Sequence, residues 1–199
     1  MALNLKNKTP DIRFLDEMRK VLYDQKWAEK AANQELYYMY RGLRKRKGLR
    51  YDITIIPPKM LGKEFVKTKG HYHIGNYGEI YIVLSGKAIY LMQKAISKSD
   101  FQKISDVFAI KAGKGDIVVI PAGYGHITIN PSKNKKLVMA NWVSEKCKSD
   151  YKPIEEMNGA CYYYTVKGWT KNKKYSEVPK IYFKQPSRTM PKNLNFLNS

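Results

Sequence analysis

Hydrophobic and polar positions follow two different periods along this chain. Over residues 10–33, Ile12, Leu15, Met18 and Leu22 recur at three- and four-residue spacing. Thr9 before Pro10 is a suitable cap for a first turn, so the spacing predicts a largely helical segment. From about residue 35 the pattern shortens to runs rich in Tyr, Ile, Val and Thr: ELYYMY, YDITIIP, EFVKTK, EIYIVL, KAIYLMQ, DVFAI, DIVVIP, HITIN, KLVMANW and CYYYTV. Gly, Pro, Asn and Lys punctuate them. Many short strands with close turns and no helices between them predict a mainly β fold, an antiparallel sandwich or barrel. Near the end, KIYFK is a strand that packs back, and the polar stretch after about Ser187 is expected to be loose. The organisation expected is a helical arm over 1–34, one barrel over 35–185 and a basic tail over 186–199. No internal repeat divides the chain.

Composition adds limits. A length of 199 residues with 43% hydrophobic content suits one domain with a real core. The two cysteines make no disulfide framework and fit a reducing compartment. The N-terminal stretch has no apolar run of the signal-peptide kind, and nothing approaches the roughly 18 apolar residues of a membrane span. These features predict a cytoplasmic protein with no membrane partner. The net charge of +20 points to anionic partners. No nucleic-acid motif accompanies it, so the simpler reading is a solvated basic surface.

The chemistry concentrates on scarce residues. Two of the chain's three histidines stand one residue apart, at His71 and His73. Alternation on a strand points both to the same face, where they can ligate one metal ion. Five residues, IGNYG, then lead to Glu79, and their glycines suit a turn that swings this carboxylate toward the same place. Glu79, Tyr81 and Val83 share one face of that strand. The third histidine lies in GDIVVIPAGYGHITIN, where Gly115, Pro121, Gly123, His126 and Asn130 follow a specific spacing.

That spacing resembles the second motif of the cupin superfamily. His71, His73, Glu79 and Gly86 match the first motif, with a longer gap before the carboxylate than its commonest form. The resemblance implies a cupin barrel (double-stranded β-helix, jelly-roll-like) in which His71, His73, Glu79 and His126 bind one divalent metal ion. Three imidazoles and a carboxylate suit Fe2+ first, with Mn2+, Ni2+ or Zn2+ also compatible. Four protein ligands leave coordination positions open for substrate.

A wider block narrows the class. Thr54, then Gly62-Lys63-Glu64-Phe65, Thr68-Lys69-Gly70-His71-Tyr72-His73, Glu79-Ile80-Tyr81 and Leu84-Ser85-Gly86-Lys87 together resemble the cupin-type (archaeal) glucose-6-phosphate isomerases. The likeness covers roughly residues 12–165. It implies reversible conversion of glucose 6-phosphate and fructose 6-phosphate by a metal-dependent homodimer. It further implies that Thr54, Thr68 and Gly70 contact the phosphate and that Tyr37 and Tyr151 line the pocket. Lys67 and Lys69 bring cations to the same block, and Tyr81 is placed as a proton relay. Glu79 is expected both as ligand and as candidate base. Strict alternation puts Thr68 on the face away from His71, and a bulge at Gly70 is expected to correct this. The sequence departs from the family in three places: a shorter gap before Glu79, Trp142 where a tyrosine is expected near the sugar phosphate, and a longer basic C-terminal extension. Another metal-dependent cupin enzyme, such as a dioxygenase or a different sugar isomerase or epimerase, is the first alternative. A non-catalytic sugar-binding cupin is the second.

Overall fold

The computed structural model describes Leu5 and residues 7–198. The first strands are β1 (Asp11–Phe14), β2 (Glu35–Arg46), β3 (Leu49–Ile56), β4 (Met60–Leu61) and β5 (Glu64–Phe65). Then come β6 (Tyr72–Ile74), β7 (Glu79–Ser85), β8 (Lys87–Ala95), β9 (Ile104–Gly113), β10 (Ile117–Ile120) and β11 (Gly125–Ile129). The last are β12 (Leu137–Ser144), β13 (Lys148–Asp150), β14 (Tyr162–Thr165), β15 (Gly168–Lys171) and β16 (Tyr182–Lys184). Two short helices, α1 (Gln25–Lys30) and α2 (Lys152–Glu156), sit outside the sheets.

One sheet runs β1-β2-β3-β12-β7-β10 and a second runs β11-β8-β9-β16. Every pairing within them is antiparallel except that of β16 with β9. The apolar residues of the two inner faces meet between the sheets, with Val83, Ile89, Leu91, Phe108, Ile127 and Met139 all buried. The β2–β3 hairpin turns on Lys47 and Gly48, both at positive φ (50° and 74°), which is the geometry that matches the twist of the flanking strands. At Gly86 the chain leaves the first sheet for the second. A Cβ there would lie 2.5 Å from the Lys136 carbonyl oxygen, so only glycine passes.

The N-terminal segment corrects the helical expectation. Asp11–Phe14 is a strand paired with β2, and the helices within 10–33 are a single 3-10 turn at Arg19–Val21 and α1. Leu15, Met18 and Leu22 are buried, as their spacing required. The edge of β2 offers hydrogen bonds that a helix over Asp11–Phe14 could not take up, and this outweighs the local period.

The stretch after Ser187 is not loose. Ser187 and Ile117 exchange both backbone hydrogen bonds (2.8 and 2.9 Å), and Leu197 is fully buried. Leu197 packs with Leu49, Ile80 and Ile117 on the outer face of the first sheet. Its few apolar residues suffice because Ile80 and Trp142 leave an apolar strip on that face.

Candidate metal centre and its pocket

Two segments distant in sequence build the centre. His71 and His126 form an antiparallel bridge, each backbone N–H donating to the other's carbonyl (3.3 and 3.0 Å). Their rings stand 4.5 Å apart, with His73 about equally far from each, at 5.2 and 5.3 Å. Glu79 opens β7 beside them. One ligand atom from each of His71, His73, Glu79 and His126 lies within 4.8 Å of every other. Glu79 Oε2 is 3.2 Å from His126 Nε2 and 3.4 Å from His73 Nε2.

The donor atoms fit a cation. Glu79 Oε2 and both ring nitrogens of His126 are buried without a hydrogen-bond partner. Of these, Glu79 Oε2 and His126 Nε2 lie 3.2 Å apart, and buried acceptors left without a partner are costly unless something positive satisfies them. Neighbouring groups turn the right atoms inward. His73 Nδ1–H donates to the Tyr77 carbonyl (2.9 Å), which leaves the Nε2 lone pair for the centre. Asn141 donates to Glu79 Oε1 (2.6 Å), which leaves Oε2 as the ligating oxygen.

Electrostatics agree with this set. Burial, together with the neighbouring imidazoles, holds His71 well below the usual histidine range and lowers His126, so both rings are in the neutral ligating form. Burial alone would raise the Glu79 carboxyl, but the facing His126 and His73 hold it far below the carboxylate range. His73 is the exception. Burial opposes its charge, yet Cys147 and Glu79 beside it raise it to about 10. A cation competes with that proton for the same nitrogen.

Around these four residues opens a cleft of about 60 Å³. Thr54, Thr68, Lys69, Gly70, Tyr37, Tyr81 and Tyr151 all line it. The alternation problem at Thr68 is solved at Gly70, whose φ of +85° turns the chain between Thr68 and His71. A Cβ at Gly70 would sit 2.3 Å from Ile127 Cγ2, so glycine is needed for space as well. Thr68 Oγ1 accepts the Thr128 N–H (2.9 Å) and keeps its own proton to donate. Tyr37 is buried, its hydroxyl accepting the Lys69 N–H (3.1 Å). The Lys69 ammonium pairs with Glu155 and stands 5.4 Å above the Tyr151 ring. Burial, then the charge of Glu79, raises the Tyr81 hydroxyl well above the tyrosine range, so it stays a proton donor.

Two expectations are corrected. Lys67 faces away from the cleft, where its ammonium bonds Glu64 Oε2 and the Val21 carbonyl (both 2.8 Å). Lys67 and Thr68 are adjacent in an extended stretch, so they point to opposite sides. Trp142 also faces away, its ring 4.9 Å from Tyr51. On β12 it is Met139, Asn141 and Val143 that look into the cleft.

Sequence reading missed Asn141, Asp52, Arg41 and Arg50, all of which line the cleft. Asp52 is buried, accepting from the Gly42 N–H (2.7 Å) and from Arg50 Nε (2.9 Å), with Arg41 Nη1 3.9 Å away. The signal was available: Arg50, Asp52 and Thr54 alternate on one face of β3, so placing Thr54 in the site placed the other two.

An antiparallel barrel that gathers three imidazoles and a carboxylate at one point between its sheets defines a cupin. Within that class the chain belongs to the glucose-6-phosphate isomerase family, whose family model matches residues 13–180. The glucose-6-phosphate isomerase of Thermococcus gammatolerans is 29% identical over 150 residues, covering 73% of this chain and 75% of that one. That of Thermococcus kodakarensis is 28% identical over 158 residues, covering 78% and 77%. Among solved structures, a cupin-like protein of Thermotoga maritima superposes with a TM-score of 0.38 and 19% identity, over 60% of this chain and 77% of that one. No helix among the described residues is long and apolar enough to cross a membrane.

Proposed function

We propose that this chain is a metal-dependent aldose–ketose isomerase that interconverts glucose 6-phosphate and fructose 6-phosphate, with His71, His73, Glu79 and His126 as the ligands. The observation that carries the reading is the convergence of three imidazoles and a carboxylate, with Glu79 Oε2 and the His126 ring nitrogens left without hydrogen-bond partners, at one wall of a cleft whose other walls bear hydroxyls, a turned glycine and cations. A divalent ion held by these four residues would supply Lewis acidity toward the sugar's oxygens. The same reading carries Fe2+ or Mn2+ as the ion, a homodimer as the assembly and the cytoplasm as the setting.

The protein's own groups divide the remaining work. Thr54, Thr68 and the backbone at Gly70 receive the phosphate, and Tyr37 and Tyr151 enclose the sugar. Lys69 contributes through its charge at the rim, shared with Glu155. Isomerisation moves hydrogen between C1 and C2, either as a proton taken by a base or as a direct shift with its electron pair. Both Glu79 oxygens are committed, Oε1 to Asn141 and Oε2 to the ligand cluster, which supports Glu79 as ligand over Glu79 as base. Tyr81, kept protonated beside Glu79, is placed to pass a proton between the sugar oxygens.

A coupled assay tests the reading: metal-loaded protein receives fructose 6-phosphate and glucose 6-phosphate is detected, with and without chelator. The expected result is turnover that chelator abolishes and Fe2+ or Mn2+ restores. Folded, metal-bound protein that gives no turnover with any divalent ion would overturn it and move attention to oxygen chemistry or plain ligand binding.

A further inference from the structure

The segment after β16 lies outside the residues matched by the family model, and it reaches the metal centre from behind. Ser187 pairs with Ile117 at the edge of β10, and Arg188 Nε forms an ion pair with Asp116 Oδ1 at 2.8 Å. The chain then crosses the outer face of the first sheet. A 3-10 turn at Asn195–Leu197 buries Leu197 against Ile80, the residue after Glu79. There the Gly78 N–H donates to the Phe196 carbonyl at 2.8 Å.

That hydrogen bond has a partner on the other side of the same peptide. The Tyr77 carbonyl, which accepts the His73 Nδ1–H at 2.9 Å, and the Gly78 N–H belong to one planar unit. In a trans peptide the two groups point in opposite directions, so one plane is held by His73 inside and by Phe196 outside. Rotating it would release both. Gly78 itself shows why the contact is built in: its φ is not in the left-handed region, so no turn demands glycine there. What demands it is approach, because a Cβ at Gly78 would lie 2.5 Å from Phe196 Cδ2 and 3.1 Å from the Ile120 carbonyl oxygen.

We propose that the Asn195–Leu197 turn is a positioning element of the metal centre: by fixing the Tyr77–Gly78 peptide plane it fixes the ring of His73 and sets the affinity for the ion. The inference rests on the metal reading above. Partners of ligating histidines typically change metal affinity by about 10- to 100-fold when lost, and here that partner is itself held from outside the barrel.

The test is titration of the full chain with Mn2+ alone, following the free ion by electron paramagnetic resonance. Phe196→Ala is expected to raise the Kd by about 10-fold or more, while Phe196→Leu largely retains it. Gly78→Ala, which pushes the Phe196 ring out and leaves the tail's apolar residues in place, is expected to act in the same direction if Phe196→Ala does not fold. Ile104→Ala on the second sheet controls for lost stability, and its Kd should stay unchanged. A second readout is independent of affinity. In Zn2+-loaded protein the His73 Nδ1–H, held by the Tyr77 carbonyl, is expected to exchange slowly with solvent, and Phe196→Ala should speed that exchange. Equal Kd values for Phe196→Ala and the unaltered protein would overturn the inference, as would an equal loss in Ile104→Ala. Failure of the unaltered protein to bind any Mn2+ would overturn the metal reading first and this inference with it.

Discussion

Replacing Lys67 by Met removes an ammonium that is 2% exposed and does three things at once. It bonds Glu64 Oε2 and the Val21 carbonyl, and it stands 4.8 Å from the Tyr163 ring. What remains is the fully buried Glu64 carboxylate, with the Tyr23 N–H (2.7 Å) as its surviving strong donor. Breaking a buried pair from one side costs about 3–5 kcal/mol. At this chain length each kcal/mol is about 2–4 °C, so the melting temperature should fall by about 6–20 °C. Adding Glu64→Gln removes the stranded charge and keeps an acceptor for Tyr23. The double variant should then lose only about 1–2 kcal/mol, mostly from the Val21 carbonyl. The deficit of Lys67→Met should also depend on pH. Burial already raises the Glu64 carboxyl above its unfolded value, and losing Lys67 raises it further. A raised folded-state value favours the folded protein while the group is protonated, and that contribution disappears as pH rises through it. The deficit should therefore be largest at neutral pH and shrink toward about pH 4, near the ordinary glutamate value. Thermal unfolding by circular dichroism of both single variants and the double, at several pH values, gives the cycle. A double variant no more stable than Lys67→Met would refute the argument that the stranded carboxylate is the cost.

Two further outcomes follow from the site. Gly70→Ala places a Cβ 2.3 Å from Ile127 Cγ2 at a φ of +85°, and the displacement should lower kcat/KM by about a hundredfold with little change in Mn2+ affinity, read by steady-state kinetics beside a metal titration. Asn141→Ala frees Glu79 Oε1 and should weaken Mn2+ binding by about 10-fold. A rise in kcat at saturating Mn2+ in that variant would instead show Glu79 acting as a base.

The strands and the histidine–glutamate cluster were legible because each rests on a local pattern of residue types. The runs from ELYYMY to CYYYTV appear as β2, β3, β7 to β12 and β14, except that EFVKTK yields only the two-residue β5, and His71, His73, Glu79 and His126 come together as the cupin resemblance implied. What escaped was decided by partners distant in sequence. Asp11–Phe14 is a strand only because β2 offers an edge, and Leu197 is buried only because Ile80 and Trp142 leave an apolar strip bare. Lys67 looked like a phosphate cation beside Thr68, but its ammonium is drawn away by the distant Val21 carbonyl together with nearby Glu64. Asn141 carries no motif at all. Its role exists because β12 pairs with β7 and sets it beside Glu79.

The bridge between His71 and His126 joins residues 55 positions apart in the sequence, and it has a kinetic consequence. Pairings of such long loops form late, since their closure entropy must be met before any contact rewards it. If His71, His73, Glu79 and His126 hold an ion as proposed, they are expected to be apart in the transition state for folding, where an ion would not gather them early. Its binding free energy falls almost wholly on the native side of the barrier. Metal would leave the rate of folding nearly untouched and slow unfolding by close to its full effect on stability. A loaded protein would be longer-lived for the same reason that an empty one would gain no help from the ion in reaching its fold.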